Sequence, residues 1–542
     1  MSAQPPASSS PPAPPTPGSV WEPLRSPVFR TLWIAGLASN VGTWVNEVGA
    51  SWLMTTLAPT PLWVSLVPAA SSLPVVLFAL PAGALADVVD RRRVLLVAQG
   101  WMLAVAAALA AVTAFGAASP AALLALTFCL GLGAAFTAPA WQAAIPELVP
   151  GSQLREAITL GSLSINLARA VGPALGGLLV ARLGPAAAFA LNAASYVGVV
   201  VVLARWRRPA QESPLPAERF VAALRTGLQY VRHSPAMLRV IVRAVVFAAP
   251  ASALWALLPL YTRQQLGRGA DFYGLLVGFM GIGAVSGALA LPWLRRCLPG
   301  NLLTQAAPAV FAAALATIGL TASPLPVALA MAAAGGAWLT QLSTLQTAAQ
   351  QSLPGWVRGR ALSVYLLTFF AGFAAGAAGW GLVAEVLGLN AAFLAAAAAM
   401  TVDLALGFRL RLAGGPPPDL APSRHWPAPE SALERVESSQ PVAVTLEYRV
   451  APERLAEFTR AMAAVRRVRL RDGAIRWGLY QDAADPTRLM ETFVSENWLD
   501  HLRQHERVTV ADREVLDAPR RLLGGGEPRV VHLVRVALSS DG

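Results

Sequence analysis

Gly83-Ala84-Leu85-Ala86-Asp87-Val88-Val89-Asp90-Arg91-Arg92-Arg93 closes one long apolar run, and a second run opens directly after it at Val94. Small residues at the end of a hydrophobic span, an acid and a block of arginine describe a tight turn between two membrane helices. Glycine there lets helices approach closely, and the arginines hold the turn on the positive, cytoplasmic side of a bilayer. Gly287-Ala288-Leu289-Ala290-Leu291-Pro292-Trp293-Leu294-Arg295-Arg296 repeats the pattern later in the chain, with Leu291 where the first copy has Asp87.

Outward from these two turns, apolar segments follow one another at spanning length, about 20 residues each. They run over 31–57, 62–86, 94–115, 119–143, 157–181 and 185–204, then 237–262, 272–294, 302–321, 324–349, 361–385 and 390–410. Composition agrees: 55% of the 542 residues are hydrophobic and 13% charged, with mean hydropathy +0.52. A soluble globular chain carries roughly 25% charge, so most of this one faces lipid or other apolar helices. The net charge is +12, and outside histidine all 42 basic residues are arginine. They lie between apolar runs, which argues for membrane topology and against a nucleic-acid partner. Arginine is concentrated in the turns after even-numbered spans, which predicts both ends of the chain in the cytoplasm.

The repeat recurs in register. Arg25-Ser26-Pro27 before the first span matches Arg232-His233-Ser234-Pro235 before the seventh. Pro150-Gly151 and Arg155 match Pro354-Gly355 with Arg358 and Arg360, and Gly172 and Gly376 lie equally far beyond them. The chain therefore reads as a twelve-helix, all-α membrane unit over 24–412, in halves 24–204 and 237–412. A cytoplasmic linker at 205–236 carries an amphipathic helix with Phe220, Leu224 and Leu228 on one face. Residues 1–23 read as a disordered tail and 413–439 as a Pro- and Ser-rich linker.

From 440 to 538 the pattern becomes that of a soluble α+β domain. The order is a strand at Val442–Tyr448, a helix with Leu455, Phe458, Met462 and Val465 on one face, two strands, helical segments and a last strand. That order is ferredoxin-like. Cys129 and Cys297 support neither a disulfide framework nor a metal site. No Gly-x-x-x-x-Gly-Lys phosphate loop is present, so ATP-driven transport is not expected, and no cofactor is assigned.

Ionisable groups inside spans mark candidate sites, because each is costly in hydrocarbon. Glu47, beside Asn46 in the first span, can face a cavity and carry a proton, or lie near the outer surface and be merely wet. Arg169 and Asn166 share the fifth span, with Glu47 a candidate partner for Arg169. Gly172-Pro173-Ala174-Leu175-Gly176-Gly177 offers a bend and a close-packing face, a pivot between halves. Gly83, Asp87, Arg91, Arg92 and Arg93 look like a gating turn, in which charge contacts across the cytoplasmic helix ends are expected to hold one conformation. Asp403 in the last span is expected to pair structurally with Arg409 or Arg411. His501 and His505 are one helical turn apart and can share a metal. With no further ligand pattern beside them, the reading assigns no metal, and favours pairing with a second copy or ligand sensing.

Gly83-x-Leu85-Ala86-Asp87 with its arginines resembles the loop signature of the major facilitator superfamily. Pro23-Leu24-Arg25, Asn166-x-x-Arg169-x-x-Gly172-Pro173 and the arginine-rich linker resemble the exporter branch that includes the enterobactin exporter. The upstream glycines of the exporter fifth-helix pattern are Thr159 and Ala168 here. The resemblance implies alternating access in a bacterial inner membrane, with protons driving export of a small organic molecule such as a siderophore or drug. Import or facilitation of a metabolite on the same fold is the alternative. The terminal domain resembles dimeric α/β barrels related to antibiotic-biosynthesis monooxygenases, which implies homodimerisation or, as a further alternative, a tethered enzyme.

Overall fold

The computed structural model describes residues 19–206, 220–297, 300–412, 418–423, 440–523 and 528–536. Six long helices form the first half: α1 (Pro27–Leu57), α2 (Pro61–Val88), α3 (Arg91–Ala114), α4 (Pro120–Leu148), α5 (Leu154–Leu183) and α6 (Pro185–Arg205). The short α7 (Phe220–His233) leads to the second half: α8 (Pro235–Gln264), α9 (Ala270–Cys297), α10 (Gly300–Leu320), α11 (Pro324–Gln351), α12 (Arg358–Leu387) and α13 (Leu389–Arg409). Local chemistry sets many of the starts. Proline stands at the first turn of α1, α2, α4, α6, α8 and α11, where its missing N–H costs nothing. Ser26, Ser119 and Ser234 each accept a hydrogen bond from the backbone N–H three residues on, capping α1, α4 and α8.

Among the described residues, eleven helices are long and apolar enough to cross a membrane. The expected twelfth, α1, falls outside that measure because Arg30, Asn40, Asn46 and Glu47 dilute its apolar run. It nevertheless packs along α5 and α6 inside the bundle. Most of its polar face is therefore covered by protein, so a hydropathy measure undervalues it.

The halves meet through two equivalent crossings, α5 on α9 and α2 on α12. Glycines set their closeness. A Cβ at Gly172 would come 2.6 Å from Trp44 of α1, and one at Gly177 would come 2.5 Å from the Ala270 carbonyl oxygen of α9. In the second half Gly376 lies against Ala249 of α8, and Gly381 against Ser65 and Leu62 of α2. Each pair is five residues apart and does the same two jobs: one glycine packs within its half, the next across to the other.

Gly83, read as a close-packing position, has open space where a Cβ would sit, whereas Gly287 lies against Gly336 of α11. Only the second copy of the turn motif thus uses its glycine for close approach. Asp403 also departs from expectation. Its partner is Arg243 of α8, 3.3 Å away, with both side chains fully buried, and Gln341 and the Thr304 carbonyl complete the network. Arg409 and Arg411 lie at and beyond the end of α13, whereas Arg243 faces Asp403 across the helix packing.

The terminal domain contains β1 (Val442–Arg449), α14 (Leu455–Arg471), β2 (Arg476–Gln481), β3 (Arg488–Ser495), α15 (Trp498–Arg507), α16 (Val510–Asp517) and β4 (Arg529–Val534). Its antiparallel sheet has the order β2-β3-β1-β4, the ferredoxin-like arrangement. Alternate residues Val442, Val444, Leu446 and Tyr448 face Phe458, Met462 and Val465 of α14 in one core. Within it Glu491 is fully buried and accepts hydrogen bonds from Arg469, Tyr448 and Trp477. The domain rests on α7. The Gln229 amide donates to the Leu470 and Ala474 carbonyls, closing the end of α14, and the Arg471 guanidinium lies 5.3 Å from the centre of the Tyr230 ring. Arg507 stacks on Trp356, before α12, at 4.6 Å.

Candidate functional site

A cavity of about 130 Å³ lies where the two halves face each other. From the first half it takes Trp44 of α1 and Arg169 of α5. The second half supplies Trp255, Trp338, Phe369, Phe370, Phe373 and Met280. Trp255 and Trp338 have ring centres 4.4 Å apart, and Phe369 and Phe373 meet Trp338 edge-on. The Arg169 guanidinium sits 5.8 Å from the Trp44 ring centre. Among the described lining residues it is the one charged group, held by a cation–π contact and facing an aromatic wall. Such a wall suits a flat or apolar body, while the guanidinium suits an acidic group on it.

Of the other sequence candidates, Glu47 is half-buried on α1. No Glu47–Arg169 ion pair forms among the described residues. Asn46 is buried, and its side-chain oxygen has no hydrogen-bond partner among the described residues. Asn166 donates to the Ser162 carbonyl of its own helix, one turn away from the cavity. Gly172, Pro173, Gly176 and Gly177 are buried on α5, the first two turns beyond Arg169.

The arginine turn between α2 and α3, expected to gate, is fastened within its own half. Arg91 pairs with Glu147 at the end of α4, and Arg92 donates to the Leu203 and Ala204 carbonyls at the end of α6, at 2.9 and 2.6 Å. The Asp90 carboxylate accepts from the Arg93 backbone N–H and caps α3. The Asp87 side chain lies outside the described residues. Glu147 carries no signal of this role in the sequence, where a single acid after a proline reads as an ordinary helix end.

Cross-half bonds gather at the opposite end. Arg263 of α8 donates to the Thr55 carbonyl and hydroxyl of α1, and Gln264 donates to the Pro59 carbonyl. Trp52 of α1 stacks on Tyr273 of α9 with ring centres 6.1 Å apart. Together with the Gly177 and Gly381 contacts they close the bundle at the end bearing the α1–α2 and α8–α9 turns.

In the terminal domain His501 and His505 share a face of α15 as expected, and β4 adds His532 beside them. Burial holds the His501 imidazole neutral, down to about 3, with His505 and His532 adding to the depression.

Two six-helix halves crossing at paired glycines, with an aromatic cavity between them, define a membrane transporter of the major facilitator type. The family described as Transmembrane secretion effector matches residues 18–540, and the chain belongs to it. It is similar to the Staphyloferrin A transporter of Staphylococcus aureus, 24% identical over 253 residues, or 46% of this chain and 64% of that protein. It is also similar to the Multidrug efflux pump Tap of Mycolicibacterium fortuitum, 26% identical over 385 residues, or 68% of this chain and 92% of the pump. The fold matches a bacterial homologue of the human lysosomal transporter Spinster with a TM-score of 0.58 at 15% identity, covering 72% of this chain and 98% of that one. A bacterial homologue of ferroportin matches with a TM-score of 0.56 at 16% identity, covering 71% and 98%.

Proposed function

We propose that this transporter exports a small organic molecule that carries an aromatic or apolar body and an acidic group. The carrying observation is the cavity between the halves, with its Trp255–Trp338 wall and Arg169 opposite. Stacking on the aromatic faces supplies affinity for the body, and the guanidinium favours an anion while opposing a cation. Similarity to the Multidrug efflux pump Tap supports the outward direction, and similarity to the Staphyloferrin A transporter supports an organic substrate.

The positive-inside rule places the arginine-rich turns in the cytoplasm. The end closed by Arg263, Gln264 and Trp52 is then the outer end, so the arrangement is the one that loads from inside. Export follows when the halves rock against each other and release the outer contacts, those at Gly177 and Gly381 among them. Glu47 lies on the outward side of the cavity in α1 and is the residue proposed to carry the coupling proton. The Asn46 side chain beside it is the proposed polar partner in that exchange.

The test is accumulation in cells expressing the protein, across carboxylate and catecholate siderophores, aromatic acids and cationic drugs. Lowered accumulation of anionic members, restored by Arg169→Gln, supports the reading. Raised accumulation would instead make the protein an importer, and lowered accumulation confined to cations would refute the anionic substrate class.

A further inference from the structure

We propose that His501, His505 and His532 of the terminal domain bind a transition-metal ion of the zinc class. Two ligands come from one face of α15 and the third from edge strand β4, thirty-one residues after His501. Their candidate ligand atoms all lie within 4.8 Å of one another. Zn–N bonds of about 2.0–2.1 Å set tetrahedral ligands about 3.4 Å apart, so small ring rotations close the set on one ion. The ring centres of His501 lie 4.8 Å from those of His505 and 4.9 Å from those of His532.

A second observation points to a ligand. His501 is 1% exposed, and neither of its ring nitrogens has a hydrogen-bond partner among the described residues. A buried imidazole with both nitrogens unsatisfied is costly, and metal ligation with an outer-shell hydrogen bond is a way to satisfy them. Gln504, whose buried side-chain oxygen lies beside His501, is placed for that outer-shell role.

The surroundings suit a neutral-imidazole site. Trp498 packs on both His501 and His532, with ring centres 5.6 and 5.9 Å away, and Phe493 closes the interior side. Arg469, stacked on Phe493, is the nearby cation, and its charge is already matched by buried Glu491. Three imidazoles without a carboxylate or thiolate select Zn²⁺, Cu²⁺, Ni²⁺ or Co²⁺ over Mg²⁺ or Ca²⁺. His505 and His532 are only half-buried, which leaves a fourth position for water or an outside ligand. The same helix α15 carries Arg507, which stacks on Trp356 beneath α12 and donates to the Asp472 carbonyl. A bound ion therefore braces one of the two helices, α14 and α15, through which this domain touches the transporter.

The experiment uses the full chain in detergent, purified without a polyhistidine tag and stripped with a chelator. Zn²⁺ is titrated in competition with a chromophoric chelator, and Co²⁺ is added separately to read its visible ligand-field absorption. One Zn²⁺ per chain with micromolar or tighter affinity is expected, together with a Co²⁺ spectrum of low coordination number. His505→Gln and His532→Gln each weaken Zn²⁺ at least tenfold and abolish the Co²⁺ band. These half-buried positions carry the test because His501 variants risk unfolding the core. His233→Gln, on α7, serves as the control and leaves binding unchanged. No stoichiometric Zn²⁺ in the wild type, or binding indifferent to both variants, overturns the proposal.

Discussion

Replacing Gly177 with alanine should open the end of the bundle that the structure shows closed. Its added Cβ would sit 2.5 Å from the Ala270 carbonyl oxygen, 2.8 Å from the Gly274 Cα and 3.0 Å from the Gly274 nitrogen. Carbon–carbon contacts are comfortable at about 3.5–4.0 Å, so α5 and α9 must separate by about 1 Å. The clashing atoms are backbone on a packed helix and cannot rotate aside. Overpacking of this kind costs about 1–3 kcal/mol, applied only to the conformation in which Gly177 meets Gly274. At about 1.4 kcal/mol per tenfold, the population shifts roughly 5- to 150-fold toward the state open at that end. Spin labels at positions 59 and 265, both exposed and on opposite halves, report the opening once Cys129 and Cys297 are replaced. The distance distribution in Gly177→Ala should gain a longer component. Gly381→Ala should do the same through the symmetric crossing, and Gly379→Ala, with open space around its Cβ, should not. A Gly177→Ala distribution identical to wild type and to Gly379→Ala would refute the reasoning.

Two more outcomes follow from charges. Arg243 and Asp403 are both fully buried, so removing one leaves the other uncompensated at about 3–5 kcal/mol, whereas removing both restores an apolar contact. Thermal denaturation of the solubilised protein should therefore rank Asp403→Leu and Arg243→Met below the double variant, and a double variant no better than the worse single would contradict this. Burial raises Asp472 to about 6 from 3.8, although Arg471 pulls against it. Between these values the folded domain holds a proton that the unfolded chain has released, so its stability falls as pH rises through that window. Asp512 is pushed up by burial but brought below 3.8 overall by Arg471 and Thr509, so its contribution is lost only at lower pH. Hydrogen exchange of residues 440–523 in the full chain, corrected for intrinsic rates, should show that decline between pH 4 and 6 in wild type and a flatter profile in Asp472→Asn. Equal slopes would remove Asp472 as the cause.

Much of this was legible in the sequence because a bilayer is a strict solvent. Span lengths, arginine turns and the recurrence of Ser-Pro and glycine at equivalent places reflect constraints acting on consecutive residues. Arg169 was legible for the same reason, as a cation in an apolar helix that demands an explanation. The other wall of the cavity was not. Trp255, Trp338, Phe369 and Phe373 sit in runs that are apolar on every side, where an aromatic facing a cavity reads like one facing lipid. Arg243 escaped notice because a basic residue near the start of a span looks like an interfacial anchor, and only packing reveals Asp403 beside it. His532 joined His501 and His505 through strand pairing, which no local spacing encodes. Glu47 and Arg169 looked like partners by charge, yet helix rotation turns Arg169 to Trp44.

The central claim is that substrate passes through the aromatic cavity between the halves. Its most direct test is transport into everted membrane vesicles, under an imposed proton gradient, of an aromatic acid identified by the cellular panel. Wild type is compared with Trp338→Ala at equal amounts in the membrane. The cavity account predicts that wild-type vesicles accumulate the compound and that the variant does so at least tenfold more slowly below saturation. Equal rates in the two would place the path elsewhere in the bundle.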